Sequence, residues 1–154
     1  MSDTRSSANT PSVADRTRPV AAGGSVIAVH FLGDKAAFVL AEEAVLLAGL
    51  DGKTERIALH DGGVLSSAGD GTRIVTGGDD GKVLEIDRTG ATRTIFADPK
   101  QKWIDHVALG PDGSTAWSVG KTAHTANRKG EVKSLELPST AGGLAFLPKG
   151  FRLA

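Results

Sequence analysis

Four histidines are the residues of this chain best suited to acid–base or metal chemistry, because the chain contains no cysteine. His30, His60, His106 and His124 are far apart, and none has a spacing that would place two ligands on one side of a strand or helix. We therefore predict no metal site, and we interpret His30 and His106 as residues that pack against or cap a strand. No Gly-x-Ser-x-Gly elbow and no nucleophile beside an obvious base is present, so no catalytic residue is predicted.

Two short segments resemble parts of ligand-binding loops. Gly120-Lys121-Thr122 is similar to the end of a phosphate-binding loop, but Thr115 stands where that loop needs glycine and no amphipathic helix follows. Asp79-Asp80-Gly81 lies near Asp70, yet the alternating acidic residues and closing Glu of a calcium loop are missing. We interpret both segments as turns between strands and predict no bound cofactor.

The charge of the chain is balanced, with 18 basic and 18 acidic residues. No basic field exists that would attract nucleic acid or a membrane surface, so neither partner is predicted. Residues 1–22 contain no apolar run long enough for a secretory signal or a membrane span, and they are predicted to be a disordered arm. The lack of cysteine fits a reducing compartment, and we expect a cytoplasmic protein.

Two kinds of turn recur along the rest of the chain in the same phase. The first residue of one turn recurs after 36, 42 and 37 residues, and the glycine of the other recurs after 38 and 40. Such a regular spacing indicates a repeat architecture. The first kind comprises Gly33-Asp34-Lys35, Gly69-Asp70-Gly71, Pro111-Asp112-Gly113 and Pro148-Lys149-Gly150, and the second comprises Asp51-Gly52, Thr89-Gly90 and Lys129-Gly130.

Each period contains four short apolar stretches, which is the content of one blade of a β-propeller. We predict an all-β fold of three four-stranded antiparallel blades, at about 23–61, 62–101 and 102–140, plus the start of a fourth at 141–154. The predicted strands are 26–31, 36–41, 44–49, 54–59, 64–67, 72–76, 82–87, 92–96, 104–109, 114–119, 122–127 and 132–137.

The second period, GDGTRIVTGGDDGKVLEID, resembles the repeat of WD40 proteins, here of bacterial type. Asp70-Gly71 matches the first turn of that repeat, 76–81 matches its second turn, and Ile86-Asp87 stands where the family has Trp-Asp. The resemblance implies a buried hydrogen-bond network of His60, Thr76 and Asp80. In the first and third blades, Ala44 and Thr122 stand where the turn aspartate would be, so those blades are expected to rely on apolar packing.

The resemblance also implies a non-catalytic scaffold that binds a protein or peptide, and so not an enzyme. The loop 97–103 is expanded and carries Lys100, Lys102 and Trp103, which we predict to contribute to a partner surface. The alternative is that Trp103 packs over the edge of its blade. Trp117, inside a predicted strand, is expected in the core.

Three blades and part of a fourth do not close a ring, so an open blade edge is expected. Two explanations remain: the chain is the N-terminal part of a longer protein, or several copies associate through the open edge. A second functional hypothesis is a fragment of a propeller enzyme, such as a metal-dependent lactonase-like hydrolase.

Overall fold

The computed structural model describes residues 12–149 and 152–154, and its long elements are all β-strands. The twelve strands form three four-stranded antiparallel sheets, each in simple sequence order. The first sheet contains β1 Val26–Leu32, β2 Lys35–Leu40, β3 Ala44–Ala48 and β4 Thr54–Ala58. The second contains β5 Val64–Gly69, β6 Arg73–Gly78, β7 Lys82–Asp87 and β8 Thr92–Ala97, and the third contains β9 His106–Leu109, β10 Thr115–Val119, β11 Thr122–Ala126 and β12 Val132–Glu136.

Glycine makes the recurring turns possible. Gly33, Gly71 and Gly113, which follow the first strand of each sheet, have φ values of 64°, 84° and 85°. Residues with a side chain rarely adopt this conformation. Glycine therefore recurs at these turns because each turn has the same backbone geometry. The fourth predicted turn, at 148–150, runs into residues that lie outside the described part of the chain.

The sheets stack face to face, because alternate residues of each strand point to opposite faces. One apolar core lies between the first and second sheets, and another lies between the second and third. The first core includes Leu32, Val39, Leu47, Ile74 and Ile86, and the second includes Val75, Val83, Ile104, Val107 and Trp117.

The first strands of the sheets contact one another, β1 with β5 and β5 with β9, and they form the inner end of the stack. A parallel bridge joins Leu32, the last residue of β1, to Gly71 in the turn that follows β5. The fourth strands carry mostly exposed residues and lie at the outer end. On β1, Ile27, Val29 and Phe31 alternate along the strand and are 46%, 54% and 72% exposed, so the face turned away from the second sheet is open.

The described ends of the chain extend this arrangement. Phe146 and Leu153 form an isolated antiparallel bridge. Of the predicted arm, residues 1–11 lie outside the described residues, whereas residues 13–16 form a 3-10 helix. Arg18 donates to the carbonyl of Leu50, and Ala22 packs against an apolar cluster of the first sheet. The predicted all-β class and the three four-stranded antiparallel sheets are confirmed.

Candidate functional site

The inner strands bring a histidine and a serine together. His30 lies on β1 and Ser67 on β5, and their Nε2 and Oγ atoms are 2.9 Å apart although the residues are separated by 37 positions in sequence. Both side chains are only half-buried. The pair therefore combines a hydrogen bond between two sheets with access from the inner end of the stack.

Burial lowers the pKa of His30 from its ordinary value. The imidazole is therefore mostly neutral at pH 7, with one protonated and one unprotonated ring nitrogen. When Nε2 carries the proton, it donates a hydrogen bond to Ser67 Oγ, and the unprotonated Nδ1 is then the base that can take part in proton transfer. In that tautomer the serine holds a neutral histidine that has one free ring nitrogen.

Neighbouring residues fix the position of this pair. Ser66, the residue before Ser67, points to the opposite face of β5, and its Oγ accepts a hydrogen bond from the backbone N–H of Val107 on β9 at 3.0 Å. The two serines therefore connect β5 to the inner strand on each side. Gly69 leaves space for the imidazole of His30, which lies directly against its backbone.

Sequence reasoning predicted no nucleophile beside a base, and the structure does place Ser67 beside His30. The available signal was the separation itself. It is close to one repeat, so both residues fall on the first strand of consecutive blades. A local motif does not show that the two side chains face each other, because their contact forms only when the two sheets stack.

The three residues that were predicted as a buried network meet at one corner of the second sheet, with Thr76 on β6, Asp80 in the turn that follows it and His60 in the segment before β5. His60 Nε2 is 2.8 Å from Thr76 Oγ1, and His60 Nδ1 is 2.9 Å from Asp80 Oδ1. Asp80 also accepts hydrogen bonds from the backbone N–H groups of Asp61 and Lys82. Burial alone would raise the pKa of Asp80, but these hydrogen bonds together hold it below its ordinary value.

A carboxylate joins the same two loops in the other sheets. Glu42 accepts a 3.3 Å hydrogen bond from the backbone N–H of Ser25, and Asp105 accepts a 2.7 Å hydrogen bond from that of Gly120. Apolar packing alone was expected there. The expectation was wrong because Ala44 and Thr122 begin strands β3 and β11 instead of lying in the turn. Glu42 is the middle of the three residues between β2 and β3, as Asp80 is between β6 and β7, whereas Asp105 reaches across the same corner from the other loop.

Two further histidines take part in contacts between elements. His106 Nε2 is 3.1 Å from the carbonyl oxygen of Ala141. His124 stacks on Trp117 with a centroid distance of 5.3 Å, and Trp117 is fully buried in the second core. Neither histidine approaches a second histidine and a carboxylate, since among the described residues no group of three or more His, Asp or Glu could hold a metal ion.

The three predicted partner residues lie together on the loop between β8 and β9. Lys100 and Lys102 are exposed, and Trp103 has 63% of its surface exposed. In the described part of the chain, no helix has the length and apolar character needed to cross a bilayer.

No protein family and no curated protein sequence matches this chain. Solved structures do resemble it. A streptogramin B lyase superposes with a TM-score of 0.67 at 12% sequence identity, over 82% of this chain and 46% of that chain. Virginiamycin B lyase from Staphylococcus aureus superposes with a TM-score of 0.65 at 14% identity, over 84% and 48%. A catalytically inactive histidine-to-alanine variant of that enzyme with quinupristin gives 0.65 at 15% identity, over 80% and 46%.

The chain has the fold of part of a β-propeller. It spans about half the length of the solved propellers that it resembles. Its three sheets are therefore three propeller blades, with the first strand of each blade at the centre of the ring and the fourth strand at the rim.

The comparison contradicts the prediction that the chain is not an enzyme, because the propellers that it resembles are lyases. That prediction relied on the resemblance to WD40 scaffolds and on the absence of local catalytic motifs. A propeller assembles its central groups from first strands about 40 residues apart, so the absence of a local motif carried little weight.

Proposed function

We propose that this chain forms three blades of a propeller enzyme in which His30 transfers a proton at the centre of the ring. The observation that carries the proposal is the 2.9 Å contact between His30 Nε2 and Ser67 Oγ on the innermost strands of adjacent blades. A substrate that enters the central channel meets these strands first. The half-buried His30 is then within reach of it, and Ser67 holds the imidazole in place.

The neutral state of His30 supports a role as general base. A base is effective when its pKa lies near or below the working pH, because the unprotonated form then predominates. Burial lowers the pKa of this imidazole and moves it in that direction. The inactive histidine-to-alanine variant of virginiamycin B lyase shows that a propeller of this shape can depend on one histidine.

Two reaction classes are compatible with a histidine base. In an elimination, the base removes a proton from carbon and the leaving group departs, as in a lyase. In a hydrolysis, the base activates water, as in the lactonase-like hydrolase that we considered from sequence. The resemblance to two lyases favours elimination, and we take it as the first candidate.

Mass spectrometry of the products distinguishes these classes. We would incubate the chain with quinupristin, the compound bound by the inactive variant, and separately with a simple lactone. Elimination leaves the summed mass of the products equal to that of the substrate, whereas hydrolysis adds one water. We expect conversion by the wild-type chain and about 100-fold less by His30→Ala, the lower range for a lost general base.

His124→Phe is the matched control, because it removes a half-buried histidine from another site and retains an aromatic ring beside Trp117. Its activity should equal that of the wild type. Absence of conversion of both substrates by the wild-type chain, or equal conversion by His30→Ala, would overturn the proposal.

We also propose that the second blade is of WD40 type. The hydrogen bonds of His60 to Thr76 and Asp80 support this, with the fully buried Ile86 in place of tryptophan. We propose, in addition, the blade limits predicted from sequence, with a further blade that begins near residue 141. A cytoplasmic location is proposed as well.

A further inference from the structure

The side of β1 that is turned away from the second sheet is apolar and exposed. Ile27, Val29 and Phe31 alternate along it and are 46%, 54% and 72% exposed. Alternate residues of a strand share one side, so these three side chains form a continuous β1 stripe. The N-terminal segment covers another part of the same face, where Ala22 packs against a cluster that includes Leu46. The β1 stripe is left open to solvent.

The corresponding side of the inner strand is covered in the other two sheets. Ser67 of β5 contacts His30 of the first sheet, and Val107 of β9 belongs to the core shared with the second sheet. In both cases a neighbouring blade covers the strand. Val29 has the same place in β1, because each of these residues pairs with one near the middle of the second strand of its sheet. The pairs are Val29 with Phe38, Ser67 with Thr76 and Val107 with Trp117.

The opposite end of the stack carries an exposed apolar side as well. Residues 145–147 pair with 152–154 in a short hairpin, in which two backbone hydrogen bonds of 2.9 Å join Ala145 and Ala154. The ring of Phe146 lies against Gly110, which follows β9. Leu147 therefore points away from the third sheet, and it is 45% exposed. The hairpin thus has one side on the third sheet and one side open.

Leu147 has a counterpart inside the stack. It comes directly before the turn Pro148-Lys149-Gly150, as Leu32 comes directly before Gly33-Asp34-Lys35, and both turns are of the first recurring kind. Leu32 is buried in the core between the first and second sheets, where it packs towards the following blade. Leu147 is thus the leading half of a blade junction, and the β1 stripe is the receiving half. This step rests on the blade proposed to begin near residue 141.

We infer that two copies of this chain close one ring, with the β1 stripe of each copy packed against the hairpin of the other. One chain carries both halves of a blade junction, so a second copy supplies the matching half at each end. The length of the chain also favours a second copy, because the chain covers 46% to 48% of the propellers that it resembles. A two-fold axis makes both junctions identical and leaves no apolar side uncovered. The inference does not depend on the chemistry proposed for His30.

The mass of the whole chain in solution tests the inference. Sedimentation equilibrium should show a particle of twice the chain mass of 15.8 kDa, which dissociates on dilution. A chain that stays monomeric up to its solubility limit would overturn the inference. A series of ever larger oligomers would overturn it too, because a junction that does not close on two copies produces an open chain of subunits.

Variants at the two ends locate the junction. Phe31→Glu and Leu147→Lys should each weaken association about 100-fold, because each change places a charge in both junctions of the ring. Leu50→Glu is the matched control, since Leu50 is 90% exposed on a turn of the first sheet and belongs to neither end. It should associate as the wild type does. Urea unfolding shows that each variant is folded, and an unchanged mass of folded Phe31→Glu contradicts the inference.

A mixture of the Phe31→Glu and Leu147→Lys chains distinguishes this ring from a contact of β1 with β1. In a mixed dimer one junction is unchanged, and the other brings the introduced glutamate to the introduced lysine. We therefore expect dimers in the mixture and monomers of each variant alone. Dimers of Leu147→Lys alone, or a mixture that stays monomeric, would overturn the inference.

Discussion

Gly69 lies directly against the imidazole of His30, so closely that a β-carbon on Gly69 would be 2.9 Å from both Cβ and Cγ of His30. These are the atoms nearest the backbone of β1, and they cannot turn away as the tip of a flexible side chain could. The imidazole can occupy this position only because residue 69 has no side chain. Ser67, two residues earlier on the same strand, is then within hydrogen-bond distance of it.

Gly69→Ala should displace His30 from Ser67. We expect a loss of about 1–3 kcal/mol in the free energy of unfolding, the usual cost of forcing an extra methyl group into packed structure. The shift of the His30 ring signals in NMR spectra would report the displacement directly. Gly142→Ala is the control, since nothing lies within 4 Å of that position, and equal stability of the two variants would argue against this packing.

Asp80→Ala should destabilise the second blade. It removes the acceptor for the backbone N–H groups of Asp61 and Lys82 and leaves Nδ1 of the buried His60 without a partner, and a buried polar group left unpaired costs about 1–3 kcal/mol. Urea unfolding measures the loss. Asp61→Ala, which removes an exposed partner of Lys82, should change the unfolding midpoint little. A blade that tolerates both changes equally would show that the network contributes no stability.

Gly81→Ala should destabilise the chain more than Gly130→Ala does. Both glycines have positive φ, 76° and 81°, so both variants should lose about 1–2 kcal/mol from backbone conformation alone. Only Gly81 packs against Gln101, whereas nothing lies within 4 Å of Gly130. The difference between the two free energies of unfolding therefore measures the contact of Gly81 with the loop between β8 and β9. A difference of zero would show that this contact does not hold the loop.

Stability should fall as the pH drops below about 6.5, the ordinary histidine pKa. Burial lowers the pKa values of His30 and His124, so the unfolded chain binds more protons than the folded chain in this range. The stability that the two neutral histidines contribute is complete above their pKa in the unfolded chain. It is lost as the pH falls through that pKa toward their lower pKa values in the folded chain. Urea unfolding between pH 8 and pH 5 would show this slope, and His124→Phe should reduce it. A slope of the opposite sign would contradict the assignment.

The strands could be predicted from sequence because turn glycines and alternating apolar residues are local signals. Two of the exceptions have a common cause. Strand β9 was predicted from residue 104 and begins at His106, since Ile104 directs its backbone N–H to Gly78 of the neighbouring blade. Gly77 and Gly78 were assigned to a turn but belong to β6, where Ile104 and Val107 pack in the space that a side chain of Gly77 would fill. Contacts between blades overrode the local pattern in both places.

The candidate site was predictable only in part. His60, Thr76 and Asp80 lie within 21 residues of one another in a motif that resembles a known repeat, and the structure brings them into contact. His30 and Ser67 belong to no such motif. Their contact depends on the stacking of two sheets, which composition and spacing alone do not specify.

The corner carboxylates of the first and third blades differ from Asp80 in residue type, as Glu42 does, or in position, as Asp105 does, and all three form comparable hydrogen bonds. A pattern defined by residue identity detects one blade of the three. A pattern defined by the hydrogen bond detects all three, because in each blade a carboxylate accepts an N–H from the other loop of the corner. Divergent propellers are therefore detected better by comparing hydrogen-bond geometry than by aligning sequences. In this chain, the bonded corner persists where the signature residue has been lost.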